Sequence, residues 1–186
     1  MTMIRRSLAL AGILLLSFSS SAFAHPGLGH VHGYLDGLSH PLSGLDHILA
    51  MIAVGLLAAR IGGRALWLVP SAFIAMMALG GAIGMAGLAL PCVEIAIAAS
   101  VLVLGLATIF SASLPLTVAA ALAGFFAIFH GQAHGIEMPA AASALTYGLG
   151  FITATLFLHT VGIGLGLAFD RLGRRSPVEP VRVNAP

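Results

Sequence analysis

The chain has 186 residues, 59% of them hydrophobic and only 8% charged, against about 25% charged in ordinary soluble domains; this is the composition of a membrane protein and excludes a water-soluble domain. The formal net charge of +2 rests on arginines near helix ends, with no lysine, so it reports membrane topology and not a nucleic-acid footprint. One cysteine, Cys92, excludes an internal disulfide framework and a cysteine-rich metal site, while eight histidines against six acids is an imbalance that lipid solvation does not explain.

At the N-terminus, MTMIRRSLALAGILLLSFSSSAFA (residues 1–24) joins Arg5 and Arg6 to an apolar run from Leu8 to Leu16 and closes on Ala22-Phe23-Ala24. That is the order of a cleaved signal peptide; a short first transmembrane helix and a twin-arginine signal are the competing readings. Cleavage makes His25 the mature N-terminus, on the periplasmic side, in a histidine-rich segment over 25–41 that also holds His30 and His32.

Crossing the hydrocarbon takes about 20 apolar residues, and the rest of the chain offers five such stretches, at 42–60, 65–88, 92–110, 115–135 and 140–169. Pro41, Pro91, Pro115 and Pro139 stand near the first turn of a stretch, where the missing N–H of proline is no loss. ARIGGRA, with Arg60 and Arg64, separates the first stretch from the second, and FDRLGRRS, with Arg171, Arg174 and Arg175, follows the last. The positive-inside rule puts both in the cytoplasm. An outside N-terminus and an inside C-terminus need an odd number of crossings. The expected fold is therefore an all-α polytopic bundle over 42–169, of five transmembrane helices, or six if the last stretch divides at its glycines, with a cytoplasmic, proline-rich tail over 170–186. Gly80-x-x-x-Gly84 and Gly162-x-x-x-Gly166 suit close helix packing.

In this topology the first helix runs inward and the fourth outward, so SHPLSGLDHILAM (Ser39–Met51) and FFAIFHGQAHGIEMP (Phe125–Pro139) carry their polar groups near the same, outer surface. His130, His134 and Glu137 fall within an arc of roughly 60° at about 100° per residue, and His130 with His134, one turn apart, makes a chelating pair. His130 and Glu137 are separated by a rise of about 10 Å, so they share an ion only if the helix breaks near Gly131 or Gly135. Pro41 pushes His40 out of the helical region to a capping position. Asp46 and His47 are expected two turns inside, where an unpaired aspartate costs about 2.5–3.5 kcal/mol. A divalent cation held by His40, Asp46, His47, His130, His134 and Glu137 offsets that cost, and imidazole with carboxylate suits Ni, Co or Zn. Met51, one turn below His47, reads as packing before it reads as a soft ligand. The competing reading of all six is ordinary polar contact with water and neighbouring helices.

Glu94, in the first turn of the third helix, suits the helix dipole, with an accessory metal role as the alternative. Asp36 either caps or orients His40. His25, His30 and His32 form a solvated tail or a loose collector of metal, to which the free amine of His25 would add a nitrogen. His159, about 20 residues into the last helix, is expected near the cytoplasmic side as a hydrogen-bonded packing histidine, with a lower way-station for an ion as the alternative. Cys92 is expected to be buried.

HPLSGLDH fits H-x5-D-H at His40, Asp46 and His47, and FHGQAHGIE fits F-H-G-x-A-H-G-x-E from Phe129 to Glu137. With HPGLGH after the signal, the mature chain resembles the HupE/UreJ family of bacterial inner-membrane proteins linked to hydrogenase and urease maturation. The resemblance implies a nickel permease, cobalt being the other cargo, in which the six named residues matter for transport. No permanently bound cofactor and no nucleic-acid partner are expected; the partners are the metal ion, the bilayer, a homo-oligomer and, indirectly, hydrogenase or urease maturation. The chain is expected not to be an enzyme. A membrane-embedded zinc hydrolase with Glu137 as general base is the alternative, against which stand very short loops and no H-E-x-x-H motif. A non-transporting metal-binding accessory protein is the third reading.

Overall fold

The computed structural model describes residues 33–174. The expected signal peptide, His25, His30, His32 and the tail from Arg175 lie outside the described residues. Among the described residues every regular element is helical: α1 (Gly33–Ser39), a 3-10 turn (His40–Leu42), α2 (Leu45–Ile61), α3 (Ala65–Met85), α4 (Val93–Ile109), a second 3-10 turn (Ser111–Ser113), α5 (Leu116–Glu137) and α6 (Ala144–Arg174). The five expected stretches correspond to α2 through α6, and α1 is added ahead of them.

By length and composition α3, α5 and α6 can each cross a bilayer, α1 and α2 qualify together as a pair bent by 81°, and α4 is shorter and apolar. Trp67, Ile95, Phe125, Leu145 and Phe157 point outward from the bundle and are exposed. In water such a coat is an aggregation liability; in lipid it is the expected surface. The protein is a membrane protein.

Glycine sets which helices touch. A Cβ on Gly55 would overlap the His159 carbonyl and one on Gly162 the Ile52 carbonyl, so the backbones of α2 and α6 meet directly. Gly80 and Gly84 press in the same way on the carbonyls of Ile128 and Gln132, and Gly131 and Gly135 on those of Met77 and Gly81, joining α3 to α5. Within each pair, later residues of one helix meet later residues of the other, so both pairs are parallel. That agrees with a chain reversing direction at each connection.

One alternative is closed here, one expectation is corrected and one feature is added. The last stretch does not divide: α6 is one helix of 31 residues, because Gly150, Gly162 and Gly166 serve as packing points against α1 and α2 and not as hinges. Cys92 is exposed, since it occupies the turn before α4 in a left-handed conformation, φ 58°. Pro70, for which the sequence reading had no place, lies inside α3 near its start. At the far end from His40, Arg60 donates to Asp170 at 2.8 Å, bringing the ends of α2 and α6 that carry Arg60 and Arg171 to one end of the bundle. Met51, Leu57, Val69, Phe73 and Leu104 are fully buried between the helices.

If backbone contact holds α3 to α5, Gly131→Ala should destabilise the detergent-solubilised protein by roughly 1–3 kcal/mol through overpacking. Gly105→Ala, where an added Cβ meets nothing within 4 Å, should be neutral or stabilising through helix propensity. Thermal melts followed by circular dichroism compare the two.

Candidate metal centre

The chain breaks between α1 and α2, and the break builds half of the site. Gly44 takes an extended conformation (φ −108°, ψ 124°) as the N-cap of α2, and Pro41 sits within the preceding 3-10 turn. Asp46 and His47 therefore stand in the first turn of α2, not two turns inside, and a carboxylate there suits the helix dipole. Oδ1 of Asp46 accepts both the backbone N–H and Nδ1 of His47, each at 2.8 Å. These side chains fold back over Gly44, where a Cβ would lie 2.8 Å from Asp46 Oδ1 and 2.9 Å from His47 Nδ1; glycine permits that approach. His40 does not cap α2, because Gly44 does. Its ring instead reaches across to α5.

No break occurs in α5, whose Gly131 and Gly135 are used against α3. His130 and Glu137 consequently stay at different depths, the one buried and the other exposed, and His130 falls outside the group of side chains spaced to hold one ion. Glu137 Oε2 lies 2.9 Å from His40 Nε2 and 3.7 Å from His134 Nδ1. Ligand atoms of His40, His134 and Glu137 all fall within 4.8 Å of one another, a spacing that could hold a metal ion. The Glu137 side chain is 55% exposed and that of His134 6%, so the trio spans the boundary between surface and interior. Beside the trio, the His47 ring lies 4.4 Å from that of His134 and 4.9 Å from that of His130, centre to centre. His130 is fully buried. The imidazoles thus touch in the order His40, His134, His47 and His130, from the half-buried His40 to the fully buried His130.

Hydrogen bonds assign the ring nitrogens. The single hydroxyl hydrogen of Ser100 goes to the Ile97 carbonyl at 2.6 Å, so its oxygen accepts from His130 Nε2 at 2.9 Å. Nδ1 of His130 is then bare, and among the described residues it has no partner. For His47, Asp46 takes Nδ1 and leaves Nε2 without a partner. Both ring nitrogens of His134 are also buried and unpartnered. Buried polar atoms in folded proteins nearly always find partners, and unpaired imidazole nitrogens beside carboxylates are the donor set of borderline divalent metals.

Asp36 neither caps α2 nor bonds to His40; its carbonyl accepts from Ser39. Glu94 is exposed in the first turn of α4, outside the trio. Met51 belongs to the apolar core. His159 is only 1% exposed and stands midway along α6, which starts at Ala144 and not near Pro139. Among the described residues it makes no hydrogen bond through either ring nitrogen, contrary to the packing histidine expected. Sequence reasoning missed Ser100, Tyr147 and Phe73. Tyr147 buries its hydroxyl without a partner, 6.1 Å ring to ring from His40. Each is a lone residue in an apolar run, and such a residue gives no sequence signal of what it will face. Beside His134 a cavity of about 240 Å³ opens between α3, α5 and α6, lined by Met77, Met85 and Met138 among others.

The HupE / UreJ protein family profile matches residues 13–183. The chain belongs to the HupE/UreJ family. Protein HupE of Rhizobium leguminosarum bv. viciae is 52% identical over 160 residues, which is 86% of this chain and 83% of that protein. No solved structure matches. In this HupE/UreJ protein, the motif ending in Asp46-His47 supplies one wall of the cluster and the motif from Phe129 to Glu137 supplies the other.

Ser100→Ala and Asp46→Asn alter the acceptors that fix His130 and His47. If the cluster holds a divalent metal, each should weaken binding about tenfold or more, with Ni²⁺ as the probe, by calorimetry on the detergent-solubilised protein. Ser39→Ala, whose hydroxyl bonds only the Asp36 carbonyl, should leave binding unchanged.

Proposed function

We propose that this protein is a permease that takes up a divalent transition-metal ion, Ni²⁺ before Co²⁺, across the bacterial inner membrane to supply hydrogenase or urease maturation. One observation carries the reading: a carboxylate and two imidazoles at one end of the bundle, His40, His134 and Glu137, lead to two further imidazoles, His47 and His130, with unpartnered nitrogens. A site for a resident catalytic metal needs three fixed ligands and a water position. A series of donors at increasing depth suits cargo handed inward.

The trio is assigned to the periplasmic face and the Arg60–Asp170 end to the cytoplasm, following the positive-inside rule. Glu137 and His40 collect the hydrated ion, His134 and His47 exchange nitrogen for water, and His130 draws the ion below the surface. Nitrogen and oxygen donors with no thiol among them favour Ni²⁺, Co²⁺ or Zn²⁺ over Cu⁺. The family resemblance favours nickel. Two charges entering a negative interior gain about 4.6 kcal/mol per 100 mV, enough for uptake without nucleotide. The reading includes no catalytic step and no resident cofactor.

In proteoliposomes with an imposed inside-negative potential, the purified protein should accumulate radioactive nickel, with cobalt a stronger competitor than zinc. His134→Ala and Glu137→Gln should each lower the rate about tenfold or more at equal protein level. Failure of the unmodified protein to accumulate nickel, with one metal retained per chain, would overturn the permease in favour of a fixed metal site.

A further inference from the structure

Below His130 the series of imidazoles is interrupted by one aromatic ring. Phe73, on α3, is fully buried, and its ring centre lies 5.8 Å from that of His130 and 5.1 Å from that of His159. The His159 contact is edge-on, at 87°. Phe73 therefore bridges the lowest member of the outer cluster and a fifth imidazole that the outer cluster does not touch.

His159 has no structural employment. Among the described residues neither ring nitrogen has a partner, and the elements packed around it offer none. From α2 it meets Gly55, which contributes only close backbone contact to the His159 carbonyl. From α3 it meets Phe73. One turn earlier on its own helix, Thr155 spends its hydroxyl hydrogen on the Phe151 carbonyl at 3.0 Å, with Met77 Sδ at 3.8 Å. A leucine would fill this volume without burying two bare nitrogens. A group that costs stability and contributes no bond is expected where function requires it.

We infer that His159 is an inner station for the transported divalent cation and that the Phe73 ring is the gate between it and His130. The inference rests on the permease reading and adds the second half of the path. One imidazole with the ion's remaining waters is a weak site, and weakness is what a station near the exit needs, because conduction requires binding loose enough to leave. A closed Phe73 keeps the passage dry, as hydrophobic constrictions do in channels, and turning the ring aside joins His130 to His159.

The test uses the full-length protein in proteoliposomes, with Ni²⁺ as the probe, alongside calorimetric Ni²⁺ binding and thermal melts in detergent. His159→Leu should cut uptake about tenfold or more while outer-cluster affinity stays within about twofold and the melting temperature holds or rises, which loss of a structural histidine would not give. Phe73→Leu, which keeps the apolar volume without the flat ring, should raise the flux several-fold, and adding His159→Leu should abolish that gain. Uptake unchanged in His159→Leu, with His134→Ala inactive in the same preparation, would overturn the inner station and leave the permease intact. Flux unchanged in Phe73→Leu would overturn the gate. No uptake by the unmodified protein removes the permease reading itself.

Discussion

Inside a bilayer no hydrophobic force draws helices together, because lipid tails are as apolar as leucine. The bundle therefore depends on backbone laid directly against backbone at glycines. Gly55 and Gly162 do this between α2 and α6, and Gly80, Gly84, Gly131 and Gly135 do it between α3 and α5. With α1 seated on α6 through Gly37 and Gly150, two parallel units result, each held by contacts that tolerate no added atom.

Between those units the chemistry changes. His40 meets Glu137, His47 meets His130 and His134, Phe151 meets His134, and Phe73 meets His159. Every one of these contacts crosses from the α1–α2–α6 unit to the α3–α5 unit, and every one is made by side chains. The site is thus the seam of the molecule. The glycine contacts that hold each pair and the ring contacts that join the two pairs are thus separate features of the same fold. Desolvation cost is concentrated there as well: among the described residues, the unpartnered nitrogens of His47, His130, His134 and His159 all lie along it.

Much of this was legible in the sequence because the bilayer imposes long apolar runs, and the helices fall where those runs are. The two motifs were legible for a related reason, since ionisable residues are rare enough in lipid to be conspicuous. What the sequence could not tell was which glycine bends the chain and which packs it. Gly131 and Gly135 looked like a hinge and are contact points; Gly44, beside Pro41, is where the chain turns. That one exchange moved Asp46 and His47 from mid-helix to the first turn and kept His130 out of the Glu137 trio. Ser100, Phe73 and Tyr147 were illegible because their significance lies wholly in the residue opposite, and periodicity says nothing about what stands across a seam. His159 was misplaced by counting from Pro139, when α6 begins at Ala144.

The depth at which charge is placed completes the physical picture. Asp36, Asp46, Glu94 and Glu137 belong to helix ends at the His40 side of the bundle, and Asp170 stands at the other end, engaged by Arg60. Between those ends the described residues hold imidazole, hydroxyl and thioether but no carboxylate. A carboxylate in the low-dielectric middle would bind a divalent ion with a strength that grows as the surroundings dry out, and an ion so held would stay. On the permease reading proposed above, anionic ligands at the mouth concentrate the cation where water can still screen it. Neutral nitrogens below give it just enough to exchange for its waters. In the permease reading, this gradient from charged to uncharged donors favours release inward, and the membrane potential, rather than a nucleotide, supplies the drive.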